Sequence, residues 1–169
     1  MIIFGLGLPR TGTNSLGLGL HLLNINGECK CILNDYKNKR NRHLNNNNYK
    51  YIIYNDAFKD LNTLLDDDKI YDNKYILTIR NNLDWLNSIA KFNNNSNYQD
   101  IININQDNYI NKIINIFKNK NIQENLLIIN LFEEDDIKLW QKLIKFLDLD
   151  QEKFKDIIED EFPKINLNK

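Results

Sequence analysis

Short, mostly apolar runs recur along the chain, and they constrain its fold more than any other feature of the sequence. They lie at residues 2–6, 49–54, 74–79 and 126–131. A strand with one face in water alternates polar and apolar side chains, whereas a run without that alternation is typical of a strand buried on both faces. We therefore expect these segments to form a sheet that is covered on both sides.

Amphipathic segments separate the apolar runs and predict the covering layers. The pattern is clearest at residues 107–118 and 136–147, where apolar side chains recur three and four positions apart, as on one face of a helix. Further helical patterns cover residues 13–24, 57–65 and 83–92. Strands that alternate with helices predict an α/β fold with a mainly parallel central sheet flanked by helices. A length of 169 residues suits a single domain over residues 1–169.

The charge balance and the hydropathy pattern argue against several classes of partner. Twenty-two Lys and Arg face 23 Asp and Glu, so no global basic excess favours nucleic acid or an anionic membrane. No run approaches the roughly 20 apolar residues that span a bilayer. We expect a soluble, cytoplasmic protein without nucleic-acid or membrane partners. The Asn runs at residues 45–48 and 93–95 are typical of an AT-rich genome, such as that of a protist or a large DNA virus, whose protein would act in the host cytoplasm.

The two cysteines do not indicate a metal site. Cys29 and Cys31 form a C-x-C pair, and only His21 and His43 could join them as ligands. Structural zinc sites have about four ligands, usually in paired clusters. We therefore expect free thiols and no bound metal.

The loop after the first apolar run carries the residues of an anion site. A strand followed by a Gly-bearing loop and a helix start directs free backbone N–H groups and the positive end of the helix dipole at one point. Gly7 and Gly12 allow close backbone approach, and Pro9 restricts the loop between them. Side-chain donors are contributed by Arg10, Thr11, Thr13, Asn14 and Ser15.

This loop departs from the Walker A pattern in a way that matters for its ligand. Gly7 and Gly12 have the spacing of the two glycines in G-x-x-x-x-G-K-[ST]. Thr13 and Asn14 then stand where that pattern has its phosphate-binding Lys and its Mg²⁺-binding Ser or Thr. The positive charge lies inside the loop instead, at Arg10.

Two segments resemble the nucleotide-binding motifs of the sulfotransferase superfamily. Residues 9–16, P-R-T-G-T-N-S-L, are similar to its 5′-phosphosulfate loop, P-[KR]-[ST]-G-T-x-x-L. Residues 75–89 resemble its 3′-phosphate strand and helix, in which an Arg ends the strand and a Ser follows eight positions later, as Arg80 and Ser88 do. The order of Cys29, residues 55–57 and the late Phe162-Pro163 pair resembles the compact P-R-T-G-T branch of that superfamily.

The resemblance implies a three-layer, P-loop-like fold and a PAPS-dependent sulfotransferase. It would move a sulfuryl group from PAPS to a hydroxyl or amine of an unidentified small-molecule, carbohydrate or peptide acceptor, leaving PAP and requiring no metal. Arg10 would assist the leaving 5′-phosphate, and Arg80 with Ser88 would hold the 3′-phosphate. The nucleotide-binding residues implied are Pro9, Arg10, Thr11, Gly12, Thr13, Asn14, Ser15, Arg80 and Ser88.

The general base is the role that the resemblance leaves open. Asp56, directly after a strand candidate, is the preferred residue, although the same carboxylate could instead cap the helix predicted from residue 57. His21 and His43 are less favoured alternatives.

Two other functions stay open at this point. The short chain and the lack of a matched base also fit a module that binds PAP or PAPS without turnover. A P-loop kinase-like enzyme is the third reading, opposed by Thr13 and Asn14 in the Walker A positions. Asn81 also departs from the superfamily, which often has an acidic residue directly after the Arg of the 3′-phosphate motif.

Overall fold

A parallel β-sheet forms the centre of the computed structural model, which describes residues 1–25, 27–31, 51–54, 61, 65, 68–92 and 103–164. The strands are β1 (Ile3–Gly5), β2 (Gly27–Cys31), β3 (Tyr51–Tyr54), β4 (Lys74–Ile79) and β5 (Leu126–Asn130). They are ordered β2-β3-β1-β4-β5, and every neighbouring pair is parallel. The carboxyl ends of all five strands therefore lie at the same edge of the sheet.

Helices lie between β1 and β2, between β4 and β5, and after β5, and parallel neighbours need crossover connections of this kind. Within the described ranges they are α1 (Thr13–Leu22), α2 (Asn82–Phe92), α3 (Gln106–Asn119), α4 (Asp136–Phe146) and the short α5 (Lys155–Ile158). Single 3-10 turns occupy Asp68–Asp72, Gln123–Asn125 and Gln151–Phe154. None of the described helices has the length and the apolar character needed to cross a membrane.

Side chains that alternate along the strands build two separate cores, one on each face of the sheet. Phe4, Tyr75 and Leu77 pack with Trp85 of α2 and Phe117 of α3. The neighbouring strand residues point the other way and pack with α1 and α4; this second core includes Ile3, Ile53, Ile76, Leu16, Leu20 and Trp140. Helix, sheet and helix form three layers, so the predicted α/β architecture is confirmed.

The predicted strands and helices correspond closely to the observed ones, and the structure adds β2, the short α5 and the 3-10 turns. Strand β2 was not anticipated, because its sequence G-E-C-K-C contains no apolar run. Within the described part of the chain, it lies at one end of the strand order and pairs with β3. The helix predicted at residues 57–65 lies outside the described residues, except for positions 61 and 65.

The strand order creates a crevice between β1 and β4. The chain leaves β1 into α1, which packs in the core on one face, and leaves β4 into α2, which packs in the core on the other. In open α/β sheets, ligands bind beyond the carboxyl ends of two neighbouring strands whose following segments run to opposite faces of the sheet. A ligand site is therefore expected at the segments that follow Gly5 and Ile79.

A buried tyrosine beneath this crevice provides a test of the core. Tyr109 of α3 donates its hydroxyl to the Leu6 carbonyl oxygen at 2.7 Å, and burial raises the pKa of Tyr109 above its usual value of 10.0. The unfolded chain releases this proton near pH 10, whereas the folded chain retains it. The free energy of unfolding should therefore fall as pH rises above about 10, with a slope of up to about 1.4 kcal/mol per pH unit from this group.

Tyr109→Phe should lose about 1 kcal/mol of stability at neutral pH through the missing hydrogen bond. Its free energy of unfolding should also fall less steeply at alkaline pH than that of the wild type, because the variant lacks this phenolic proton. Urea unfolding at about pH 9 and about pH 11 measures both effects, with the exposed Tyr71→Phe as the matched control. An equal alkaline decline in wild type and Tyr109→Phe would contradict the burial of this hydroxyl.

Candidate anion-binding site

The loop between β1 and α1 has an unusual backbone. Arg10 has a φ of 70° and Gly12 a φ of 99°, both in the left-handed region. Glycine occupies that region without strain, but an arginine does so at a cost in free energy. Non-glycine residues with such φ values occur where the surrounding contacts determine the conformation. The left-handed geometry of Arg10 therefore depends on the contacts that the loop makes.

Hydrogen bonds from three other elements fix the loop. The Thr11 hydroxyl donates to the Leu8 carbonyl oxygen at 2.6 Å and lies 2.8 Å from the Thr78 hydroxyl of β4. Because Thr11 has a single hydroxyl hydrogen, Thr78 is the donor of the second bond. The indole nitrogen of Trp85 on α2 donates to the Pro9 carbonyl oxygen at 2.9 Å. Together with the Tyr109 bond to Leu6, these contacts attach the loop to β4, α2 and α3.

The loop arginine reaches the helix after β4. Arg10 Nε donates to Ser88 Oγ at 3.1 Å, and Ser88 is only 9% exposed. Arg10 comes from the first phosphate motif and Ser88 from the second, 78 positions later. The two motifs that the sequence places far apart are thus in direct contact.

Arg80 approaches the same point from the end of β4. Its Nη1 donates to the Arg10 carbonyl oxygen at 3.4 Å, and its guanidinium carbon lies 4.2 Å from the centroid of the Phe132 ring. The backbone carbonyl of Arg80 accepts a 2.9 Å hydrogen bond from Gln106 Nε2 of α3. Arg80 therefore has contacts at its backbone carbonyl, at one guanidinium nitrogen and with the Phe132 ring.

The electrostatics at Arg80 are those of a partly buried cation. Burial lowers its pKa most, the negative charge of Asp84 raises it, and the positive charge of Arg10 lowers it. The guanidinium stays protonated at neutral pH, because an arginine pKa lies far above that range. Two positive charges that lie close together and are partly buried repel each other, and a bound anion would relieve that repulsion.

The start of α1 adds a third positive feature. Its N-terminal residue is preceded by Gly12, which has no side chain to cap the helix, and its first turn contains no acidic residue. By contrast, Asn105 caps α3 and Asp135 caps α4, and both helices have an Asp in the first turn. The helix dipole at α1 is therefore not compensated by an acidic side chain of its own first turn.

The predicted site residues divide into three groups. Arg10, Arg80 and Ser88 come together, with Arg10 bonded to both of the others. Pro9, Thr11, Gly12, Thr13, Asn14 and Ser15 form the adjoining loop and first turn, where Thr11, Thr13 and Ser15 are buried. Asp56 and His43 lie outside the described residues, so the general base stays a prediction.

The remaining candidate ligands lie away from this point or carry no described side chain. His21 is exposed in the last turn of α1, at the opposite end from the loop. Cys29 and Cys31 belong to β2, and their side chains are outside the described residues. Among the described residues, no group of three or more His, Cys, Asp or Glu is placed to hold a metal ion.

Four supporting residues were not anticipated from the sequence. They are Thr78, Trp85, Gln106 and Phe132. Thr78 could have been found, because it precedes Arg80 by two positions in a strand and therefore shares its side of the sheet. Gln106 and Phe132 reach Arg80 from segments 26 and 52 residues later, which no local pattern indicates.

Asn81 has a structural explanation. Its side-chain oxygen accepts a hydrogen bond from the Leu83 backbone N–H at 3.0 Å, and its carbonyl accepts one from Trp85. The amide therefore caps the start of α2, a role that Asp and Asn share. An amide at this position caps the helix without placing a carboxylate directly after Arg80.

Comparison with known proteins does not identify a family: none of the known family models and none of the curated proteins matches this chain.

Gly7 tests the attachment of the loop to β4. A Cβ atom added at Gly7 would lie 1.9 Å from Thr78 Oγ1 and 2.7 Å from Thr11 Oγ1. Gly7→Ala should therefore lower the free energy of unfolding by about 1–3 kcal/mol, as overpacking does. Thr78→Ala removes the closest clashing atom and should cost about 1 kcal/mol by itself.

The double variant Gly7→Ala/Thr78→Ala should be less destabilised than the sum of the two single variants, because the second change makes room for the first. Chemical denaturation of all four proteins completes the cycle. Strict additivity of the two effects would show that the loop is not packed against Thr78.

Proposed function

We propose that this protein is a PAPS-dependent sulfotransferase that transfers a sulfuryl group to a hydroxyl or amine acceptor. The observation that carries the proposal is the contact of Arg10 with Ser88 and of Arg80 with Arg10. These contacts unite two motifs that each resemble one half of a PAPS site. They lie at the carboxyl ends of β1 and β4, where α/β sheets bind ligands.

Charge and hydrogen-bonding capacity at this point favour a nucleotide with two separate phosphate groups. The first turn of α1 suits the 5′-phosphate, because backbone N–H groups and the helix dipole attract anions there. Arg80 and Ser88 suit the 3′-phosphate on the neighbouring strand end. Arg10, which lies between them, can contribute guanidinium donors toward either group, since it has five N–H bonds in all.

The Ser88 hydroxyl is prepared to donate to an anion. Its oxygen accepts the hydrogen bond from Arg10 Nε, so its own hydrogen remains available for another acceptor. A hydroxyl that accepts from a cation becomes a stronger donor through polarisation. Ser88 therefore extends the positive character of Arg10 toward the position proposed for the 3′-phosphate.

The loop chemistry favours PAPS over ATP with Mg²⁺. Thr13 and Asn14 occupy the positions of the Walker A Lys and Ser or Thr, so the cation for β/γ-phosphates and the Mg²⁺-binding hydroxyl are both replaced. The positive charges lie elsewhere, with Arg10 inside the loop and Arg80 directly after β4. A kinase-like reaction lacks its usual residues here.

The reaction requires a sulfuryl donor, and PAPS supplies a phosphosulfate whose S–O bond breaks as the acceptor oxygen or nitrogen bonds to sulfur. The electron pair of the broken bond remains on the 5′-phosphate. The charge that develops there would be stabilised by Arg10 and by the N–H groups of the α1 first turn, with Thr13 and Asn14 assisting. The acceptor proton passes to a general base, for which Asp56 is the preferred residue.

Ligand-dependent stability tests nucleotide recognition. PAP in EDTA should raise the melting temperature, because a ligand at about 100 times its Kd stabilises a protein by about 2.7 kcal/mol. Arg80→Ala should weaken PAP binding about tenfold to hundredfold, as expected for loss of a charged hydrogen bond. Lys91→Ala removes the same charge from the exposed far end of α2 and should bind PAP like the wild type.

A larger stabilisation by ATP with Mg²⁺ than by PAP would overturn the proposal and favour the kinase-like alternative. If Arg80→Ala and Lys91→Ala weaken PAP binding equally, Arg80 contributes only to the net charge of the protein and does not contact the nucleotide.

Transfer itself needs a separate assay. Incubation of radiolabelled PAPS with panels of phenols, sugars, amines and peptides should yield labelled product and PAP. Asp56→Asn should slow this transfer about 10²–10⁴-fold without weakening PAP binding, the usual range for loss of a general base. Asp72→Asn, a change of the same charge on an exposed 3-10 turn, is the control. Tight PAP binding without transfer to any acceptor would instead favour the binding module.

A further inference from the structure

Phe132 contacts the candidate site in a way that the nucleotide motifs do not explain. It follows β5, the strand next to β4, so its ring comes from a third strand end at the same edge of the sheet. The ring centroid lies 4.2 Å from the Arg80 guanidinium carbon. The ring also approaches the loop between β1 and α1, because a Cβ placed on Gly12 would be 3.5 Å from Phe132 Cε2.

The turn that presents this ring is held by its own hydrogen bonds. Asn130 Oδ1 accepts from the Phe132 backbone N–H at 3.1 Å. The Asn130 backbone N–H donates to Glu134 Oε1 at 2.8 Å, and the Glu134 N–H donates back to the Asn130 carbonyl at 3.1 Å. Leu131, which lies between Asn130 and Phe132 in the sequence, is completely buried. The backbone of Phe132 is therefore fixed relative to β5, and its ring is a stable surface for Arg80.

Contact with an aromatic face restricts how a guanidinium can turn. The planar group donates its hydrogen bonds within its own plane, and a ring 4.2 Å from its central carbon limits the rotations that the group can make. Nη1 already reaches the Arg10 carbonyl, while Nε is buried and has no hydrogen-bond partner among the described residues. Among the described residues, one hydrogen bond and one ring contact thus determine how the guanidinium is oriented.

We infer that Phe132 is a positioning residue that holds the Arg80 guanidinium in the plane needed to bind a 3′-phosphate, and so sets the preference for nucleotides that carry one. This inference rests on the proposed function, because it assigns the 3′-phosphate to Arg80. It predicts that the Phe132 ring affects binding of the 3′-phosphate and not binding of the 5′-phosphate. If the ring only filled space beside Gly12, its removal would weaken the binding of both phosphates equally.

The test compares PAP with 5′-AMP, which differs from it by the 3′-phosphate alone. Calorimetric titration of wild type should show PAP binding at least tenfold tighter than 5′-AMP. Phe132→Leu, which keeps an apolar side chain but removes the ring, should reduce that ratio about three- to tenfold by weakening PAP while leaving 5′-AMP unchanged. Phe132→Tyr retains the ring and should restore the ratio.

A double variant separates positioning from general packing. In the Arg80→Ala background, Phe132→Leu should cause no further loss of the PAP preference, because the ring would have no guanidinium left to orient. Melting temperatures without ligand measure any packing defect independently.

The outcomes distinguish this inference from the proposed function. A wild-type protein that binds PAP no better than 5′-AMP contradicts the proposed function itself. A wild-type preference that persists unchanged in Phe132→Leu, or a loss of affinity that is equal for both nucleotides, overturns the role of Phe132 alone.

Discussion

The hydrogen bond between Thr11 and Thr78 connects the two halves of the candidate site. One hydroxyl belongs to the loop after β1 and the other to β4, two residues before Arg80. Both residues are almost completely buried, so the bond is protected from competing water. It fixes the loop against the strand whose end carries the second arginine. Together with the bond from Trp85 to Pro9, it sets the position of Arg10 relative to Arg80.

The attachment explains how the fold tolerates an arrangement that is unfavourable by itself. Arg10 has left-handed backbone geometry, and its charge lies close enough to Arg80 to lower the pKa of that residue. Strain and like-charge proximity both reduce stability, and they are typical of functional sites whose ligand compensates for them. The supporting bonds from Thr78, Trp85, Tyr109 and Gln106 all come from buried or largely buried side chains, which can maintain such a geometry.

Much of this fold follows from residue patterns, because burial on both faces of a sheet requires continuous apolar strands. The strands around Phe4, Ile76 and Ile129 and the helix containing Trp140 were all predicted for that reason. Strand β2 was not, because its sequence G-E-C-K-C contains no apolar run. Local patterns also indicated Arg10 and Arg80 as anion ligands, because both follow strand candidates.

The parts of the site that could not be predicted depend on long-range packing. The direct bond from Arg10 to Ser88 requires the side-chain conformation of Arg10, which no motif specifies. Phe132 and Gln106 contact Arg80 only because β5 and α3 lie beside β4 in the folded chain. Asp56 was proposed from its place after a strand, and its position relative to Arg10 lies outside the described residues.

The central claim is that Arg10, Ser88 and Arg80 form one site for a nucleotide with phosphates at both the 5′ and 3′ positions. A crystal structure of the protein grown with PAP tests this claim most directly. The account predicts the 3′-phosphate within about 3 Å of Arg80 and Ser88 donors, and the 5′-phosphate at the first turn of α1. A nucleotide bound elsewhere, or one whose 3′-phosphate points into solvent, would contradict it.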